Sequence, residues 1–231
     1  MPIKKLTFKI LRYKPDRIDP PRFQEFTLEA DTDISVLDAL EKIRHKQDNT
    51  LMYRHSCHHS SCGTCACKIN GKERLTCITK IQELPGDTIE LTPLEGFEPI
   101  GDLVVDVSRL YGDLPDDWSY LRKSEEVKST ARPQGIRQFT RFENCIECGA
   151  CVSACPVTEK NAAFLGPAVL AALNSELQKS PQKESYLTSL AGSKRGHHLC
   201  ERALNCSRVC PTAVYPARHI ADLRRMLEED N

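Results

Sequence analysis

Cys145-Ile146-Glu147-Cys148-Gly149-Ala150-Cys151-Val152-Ser153-Ala154-Cys155-Pro156 decides how the second half of this chain folds. Thiols spaced C-x2-C-x2-C-x3-C-P let one short loop curl around an iron-sulfide cluster, while the fourth cysteine serves a neighbouring cluster. The outline recurs as Cys200, Cys206 and Cys210-Pro211. Laid over the first copy, the second lacks one inner cysteine, and Ala203 stands in its place. By the crossover rule, Cys145, Cys148, Cys151 and Cys210 form a complete [4Fe–4S] set. Cys155, Cys200 and Cys206 are left for the other site. Three thiolates suit [3Fe–4S], a cube short of one iron. The competing reading is a [4Fe–4S] cluster with one iron held by water, hydroxide or a nearby carboxylate.

Upstream lie the other five of the twelve cysteines: Cys57, Cys62, Cys65, Cys67 and Cys77. C-x4-C-x2-C with a later cysteine is the plant-type [2Fe–2S] spacing, which assigns Cys57, Cys62, Cys65 and Cys77. Cys67 is then spare, and a buried thiol in the outgoing strand is its simplest reading. His55, His58 and His59 invite a Rieske arrangement, but four well-spaced cysteines make it unnecessary. These histidines read as loop-surface residues, with a partner interface as the sharper alternative. His197 and His198 read as a polar helix start rather than as residues tuning the three-iron centre. Structural zinc fits poorly, because zinc wants separable groups of four ligands rather than interleaved runs. A disulfide framework would not explain the short C-x2-C repeats.

A chain of 231 residues is one large domain or two ordinary ones. Lys+Arg and Asp+Glu balance at 32 each, so no net charge draws it to nucleic acid or an anionic membrane. No run approaches the eighteen or so apolar residues of a membrane span, and the start carries no signal peptide. Residues 1–105 read as α+β. Leu6–Leu11 and Phe23–Leu28 alternate as strands, with Asp16–Pro21 between them as a turn. A helix starts at Ser35, with Asp38 as capping-box partner and Val36, Leu37, Leu40 and Ile43 on one face. Asn70-Gly71 predicts a hairpin whose second strand runs through Leu75, Cys77 and Ile78. Pro85-Gly86-Asp87 turns into a further strand, Thr88–Leu91. Residues 106–231 read as helical, with an exposed connection over Lys123–Gly135 and helices over Phe164–Leu177 and Ala217–Leu227. The fold class is therefore α+β: an N-terminal β-grasp domain like plant-type ferredoxins, then an α-helical, ferredoxin-like dicluster domain.

A plant-type [2Fe–2S] domain followed by a dicluster domain with one ligand lost resembles the iron-sulfur subunit of succinate dehydrogenase and fumarate reductase (respiratory complex II). Tyr53-Arg54-His55-Ser56-Cys57 is similar to the family's Arg-rich approach to its first ligand. Gly101-Asp102-Leu103-Val104-Val105-Asp106 is similar to its interdomain link, and Phe164-Leu165-Gly166-Pro167-Ala168 to the segment after its second cysteine group. The resemblance implies one-electron transfer, with dicarboxylate chemistry left to a separate FAD-containing flavoprotein. It implies the order flavin, [2Fe–2S], [4Fe–4S], [3Fe–4S], quinone, the quinone being held by membrane anchor subunits. It also implies a peripheral place on the cytoplasmic side of a prokaryotic inner membrane. Two departures bear on the acceptor end. Many relatives carry Trp shortly after the second group's Cys-Pro, where this chain has Val157-Thr158-Glu159-Lys160. Many also carry His after the first cysteine of the third group, where this chain has Glu201. Pro156, Lys160 and Glu201 are therefore its quinone-proximal candidates. A soluble fumarate reductase with a non-quinone partner, and a non-redox metal-binding scaffold, stand as alternatives.

Overall fold

The computed structural model describes residues 3–114, 144–179 and 184–229. Their contacts divide the chain into two units. Met1–Val107 with Ile146–Ser153 makes one, and Ser108–Cys145 with Ala154–Asn231 the other. The connection read over residues 123–135 lies outside the described residues.

In the first unit, β1 (Ile3–Lys14) and β2 (Ile18–Asp31) pair antiparallel. Leu6, Phe8 and Ile10 of β1 and Phe26, Leu28 and Ala30 of β2 are buried at alternate positions. That is the period-2 signature of a sheet with one face covered. The turn is shorter than the sequence indicates, since β2 is under way at Ile18. Pro20 and Pro21 fit within it because the β1–β2 register shifts between Arg12 and Lys14, which leaves neither proline paired across the ladder. The cover is α1 (Val36–Lys46). Ser35 caps it by accepting from Asp38 N at 3.1 Å, and Asp38 Oδ2 accepts from Ser35 N at 2.9 Å. Leu37, Leu40 and Ile43 are fully buried, each contributing about 2 kcal/mol of transfer free energy.

β3 (Ala66–Ile69) and β4 (Lys72–Leu75) form the expected hairpin, with Asn70 and Gly71 both left-handed at φ +49° and +74°. The second strand ends at Leu75, so Cys77 and Ile78 lie in a turn rather than in the strand. Thr79 causes this by bonding back to Leu75 O through both N (3.2 Å) and Oγ1 (2.8 Å). β5 (Thr88–Thr92) lies parallel to β1 and antiparallel to β3, completing a mixed sheet of order β2-β1-β5-β3-β4 clasped around α1. β6 (Glu98–Gly101) and β7 (Val104–Asp106) make a small second ribbon. The short α2 (Ala150–Ser153) also belongs to this unit. Its Ser153 Oγ donates to buried Glu73 (2.9 Å) and accepts from Glu95 N (3.0 Å).

The second unit is helical: α3 (Pro156–Lys160), α4 (Gly166–Lys179), α5 (Glu184–Gly192), α6 (Asn205–Arg208) and α7 (Pro216–Glu229). Phe164 through Leu177 are buried without interruption, which makes α4 a central helix rather than an amphipathic cover. Pro167 sits in its first turn, where no N–H is needed. α7 lays Ile220 and Leu223 against α4, and Asn174 Nδ2 lies 2.9 Å from His219 Nδ1 in the buried seam.

Candidate iron-sulfur cluster sites

All twelve cysteines lie among the described residues, and none forms a disulfide. Cys57 sits in a polar loop in which His58 and Ser60 are both left-handed at φ +61°. Such conformations cost about 1 kcal/mol or more for a residue with a Cβ, and they gather at functional sites. Here they turn the N–H groups of His59 (3.5 Å) and Ser61 (3.3 Å) onto Cys57 Sγ. The His59 N–H leads in drawing the Cys57 thiol down to about 5, with Cys62 and Ser61 helping against the cost of desolvation. The curl at Leu75–Thr79 returns Cys77 beside Cys65 and Cys57. Burial, reinforced by Cys65 and Cys57, pushes its thiol up to about 11. Cys57, Cys62, Cys65 and Cys77 are thus electrostatic neighbours, with backbone donors already aimed at sulfur. That donor set fits a [2Fe–2S] cluster, whose positive iron would hold all four as thiolates. Gly63, at φ +68°, closes the loop where a Cβ would come within 2.5 Å of Ile146 O. Cys67 lies within β3, 2% exposed, its thiol pushed far up by burial and by Cys65.

The second unit brings Cys155, Cys200 and Cys206 to one cavity of about 340 Å3. Cys155 is the N-cap of α3, and Pro156 at N1 starts the helix directly behind it with a preset φ. Cys206 is buried in α6, and burial, aided by Cys155 and Cys200, pushes its thiol up to about 11. Ala203 lines the same cavity. Its neighbours Arg202 and Leu204 are left-handed at φ +59° and +63°. The corresponding residues around Cys148, Glu147 and Gly149, are left-handed too, at φ +54° and +78°. Ala203 therefore occupies a backbone shaped like a ligand loop, without the ligand. Three thiols around a cavity, and an alanine at the fourth place, fit a three-thiolate cluster.

Of the remaining set, Cys148 and Cys151 lie in the first unit and Cys145 and Cys210 in the second. Cys145 Sγ meets Tyr111 Oη at 3.1 Å, and Cys210 Sγ accepts from Val214 N at 3.3 Å. These sulfur contacts were not visible from cysteine spacing, nor was Arg224 of α7. Arg224 Nη2 donates to His197 O (2.9 Å) and Cys200 O (3.2 Å), holding the Cys200 loop. His197 and His198 form one short 3-10 turn, and burial followed by Arg224 and His198 lowers the pKa of His197. Among the quinone-proximal candidates, Pro156 and Glu201 line the cavity, whereas Lys160 is exposed at the end of α3 and is not part of the lining. Arg202, Arg224 and Arg225 supply the cavity's cationic side chains instead. His55, His58 and His59 are exposed in the first loop, as expected.

Clustered thiols with backbone donors on two ferredoxin-type units define an iron-sulfur electron carrier. Residues 7–112 match the family described as 2Fe-2S iron-sulfur cluster binding domain, and residues 141–214 match the 4Fe-4S dicluster domain. The mitochondrial succinate dehydrogenase (ubiquinone) iron-sulfur subunit of Candida glabrata is 32% identical over 97% of this chain and 92% of its own. The fumarate reductase iron-sulfur subunit of Haemophilus influenzae is 32% identical over 93% of this chain and 90% of its own. In fold, the chain is similar to one in the Mycobacterium smegmatis Sdh1 complex in the apo form. That likeness has a TM-score of 0.82 at 20% identity and covers 100% of this chain and 98% of the other. The chain belongs to the family of iron-sulfur subunits of succinate dehydrogenase and fumarate reductase, and its function is electron transfer within such an oxidoreductase. These matches do not favour a non-redox scaffold.

Proposed function

We propose that this chain carries electrons singly between a FAD-containing flavoprotein subunit and a quinone held by a membrane anchor. Cys57, Cys62, Cys65 and Cys77 hold a [2Fe–2S] centre facing the flavoprotein. Cys145, Cys148, Cys151 and Cys210 hold [4Fe–4S], and Cys155, Cys200 and Cys206 hold [3Fe–4S] at the acceptor end. The clusters supply the one-electron carriers. The chain's own residues aim N–H groups at the thiolates, as His59, Ser61 and Val214 do at Cys57 and Cys210. Residues 1–105 and 106–231 are the two functional domains in this reading, and Cys67 takes no part. We place the chain peripherally on the cytoplasmic face of a prokaryotic inner membrane. Among the described residues no helix is long and apolar enough to cross a membrane.

Ala203 carries the reading, because it lines the three-cysteine cavity in a ligand-loop conformation. EPR of the air-oxidised protein tests it: a [3Fe–4S] signal is expected with about nine irons per chain. Full iron content without that signal overturns the assignment. A soluble, non-quinone acceptor is the second reading, favoured by Glu201 and the Trp-free Val157–Lys160 segment. Co-purification with hydrophobic anchor subunits and quinone-linked turnover separates the two.

A further inference from the structure

We propose that Glu41, His55 and His58 form a binding site for a divalent first-row transition metal of the Zn2+ class, separate from the cluster thiols. His55 Nδ1 and His58 Nε2 are 3.0 Å apart. One oxygen, Glu41 Oε1, lies 3.8 Å from the first and 3.9 Å from the second. The nearest point equidistant from these three atoms, in their common plane, lies about 2.1 Å from each, inside the range of Zn–N and Zn–O(carboxylate) bonds. A hydrogen bond between the imidazoles accounts for the 3.0 Å pair, and Glu41 Oε1 adds a third donor atom within ion-pair distance of both rings.

The donors also suit the metal class. Two imidazoles and one carboxylate favour Zn2+, Cu2+ or Ni2+ over Mg2+ and Ca2+, which prefer all-oxygen shells. Glu41 projects from the rigid α1, while His58 is held on the loop by its left-handed backbone at φ +61°. The His55 ring is fixed edge-on to His58, with centroids 5.1 Å apart, and tilted against Tyr53 at 5.5 Å. The nearby cation Arg44 sits over the Tyr53 ring, 5.7 Å from its centroid. The three side chains are about one-third exposed or more, which leaves a fourth position for water. A bound metal would tie α1 to the loop that carries Cys57. This site stands whether or not the cluster assignments hold, since it uses none of their sulfurs.

The experiment is titration of ZnCl2 into the anaerobically purified, cluster-loaded protein by calorimetry, paired with anomalous diffraction at the zinc edge. One Zn2+ per chain is expected between Glu41, His55 and His58, with the cluster EPR signals unchanged. His55→Ala and His58→Ala should each weaken binding by more than about tenfold, and Glu41→Gln should weaken it too. Cys67→Ser should leave it untouched. Undiminished Zn2+ affinity in the two histidine variants, or an anomalous peak only at the cysteine loops with loss of cluster signal, overturns the proposal.

Discussion

Replacing Arg12 with Met should destabilise the first unit more than any surface change. Arg12 is 1% exposed, on a strand whose other inward residues are apolar. Its Nη1 donates to Gln24 Oε1 (2.5 Å) and Asp48 Oδ2 (2.7 Å), and its Nη2 to Thr50 Oγ1 (3.1 Å). Nε lies 3.1 Å from Asp102 Oδ1 in an ion-pair contact. Asp102 is fully buried, and its oxygens also accept from Tyr13 N (2.9 Å) and Met52 N (2.8 Å). Removing one partner of a buried ion pair costs about 3–5 kcal/mol. The two backbone donors still hold the Asp102 carboxylate, which puts the loss near the lower bound, about 3 kcal/mol. For a unit of this size that is a fall in melting temperature of roughly 12–20 °C. Thr50 and Met52 lead directly into Tyr53–Cys57, so the [2Fe–2S] EPR signal should be lost along with the far-UV circular dichroism. Arg12→Lys should recover part of the loss by restoring the charge without the fork. A fall under about 4 °C in Arg12→Met would refute the reasoning, since it would mean the Asp102 carboxylate needs no cation.

Four further outcomes are expected. Burial alone would raise the Asp48 carboxyl, but bonds from Thr50 and Arg12 overcome it and hold it at about 2, below the ordinary 3.8. A lowered folded pKa gives stability that is complete above pH ~4 and lost as pH falls toward 2, so the advantage of wild type over Asp48→Asn should shrink across that window in acid denaturation. Ala203→Cys should convert the three-iron centre to a four-iron one, and persistence of the oxidised [3Fe–4S] EPR signal at full strength would count against it. Cys67→Ser should keep all three centres; loss of the [2Fe–2S] signal would show that Cys67 is a ligand. Arg224→Gln should lower the midpoint potential of the [3Fe–4S] centre in an EPR-monitored redox titration, because it removes a cation bonded to Cys200 O. An unchanged or higher potential would restrict Arg224 to holding the loop.

The elements read from sequence were those governed by short-range chemistry. Ser35 and Asp38 mark their helix because capping is local, and Asn70-Gly71 marks its hairpin because only a left-handed pair closes a two-residue turn. Cysteine spacing grouped the thiols of the first loop and of the three-cysteine cavity for the same reason. Reading Cys77 as strand missed a distributed cause, since Thr76 and Thr79 act through Cys65 O and Leu75 O. The role of Arg12 was hidden because its acids lie 36 and 90 residues away, at Asp48 and Asp102. Glu41 could not be associated with His55 and His58 for a similar reason, because the helix and the loop meet only in the folded domain. Arg224 reaches Cys200 O from 24 residues away, on a helix whose sequence marks only its apolar face.

Ala203 shows what the proposed three-thiolate site would ask of the backbone. Glycine is the residue that adopts a left-handed φ without steric cost, and Gly149 supplies it after Cys148 in the first copy. In the second copy the same position is Leu204, whose Cβ makes φ +63° unfavourable by about 1 kcal/mol or more. In the proposed site this loop presents no fourth ligand. It keeps that shape between Cys200 and Cys206, which both line the cavity, and Arg208 Nη1 reinforces it by donating to Ala203 O at 3.4 Å. In the proposed site the conformation serves the thiols on either side of Ala203, Cys200 and Cys206. It follows that a cysteine introduced at Ala203 would enter a loop already shaped for it, so its effect should fall on cluster nuclearity rather than on folding.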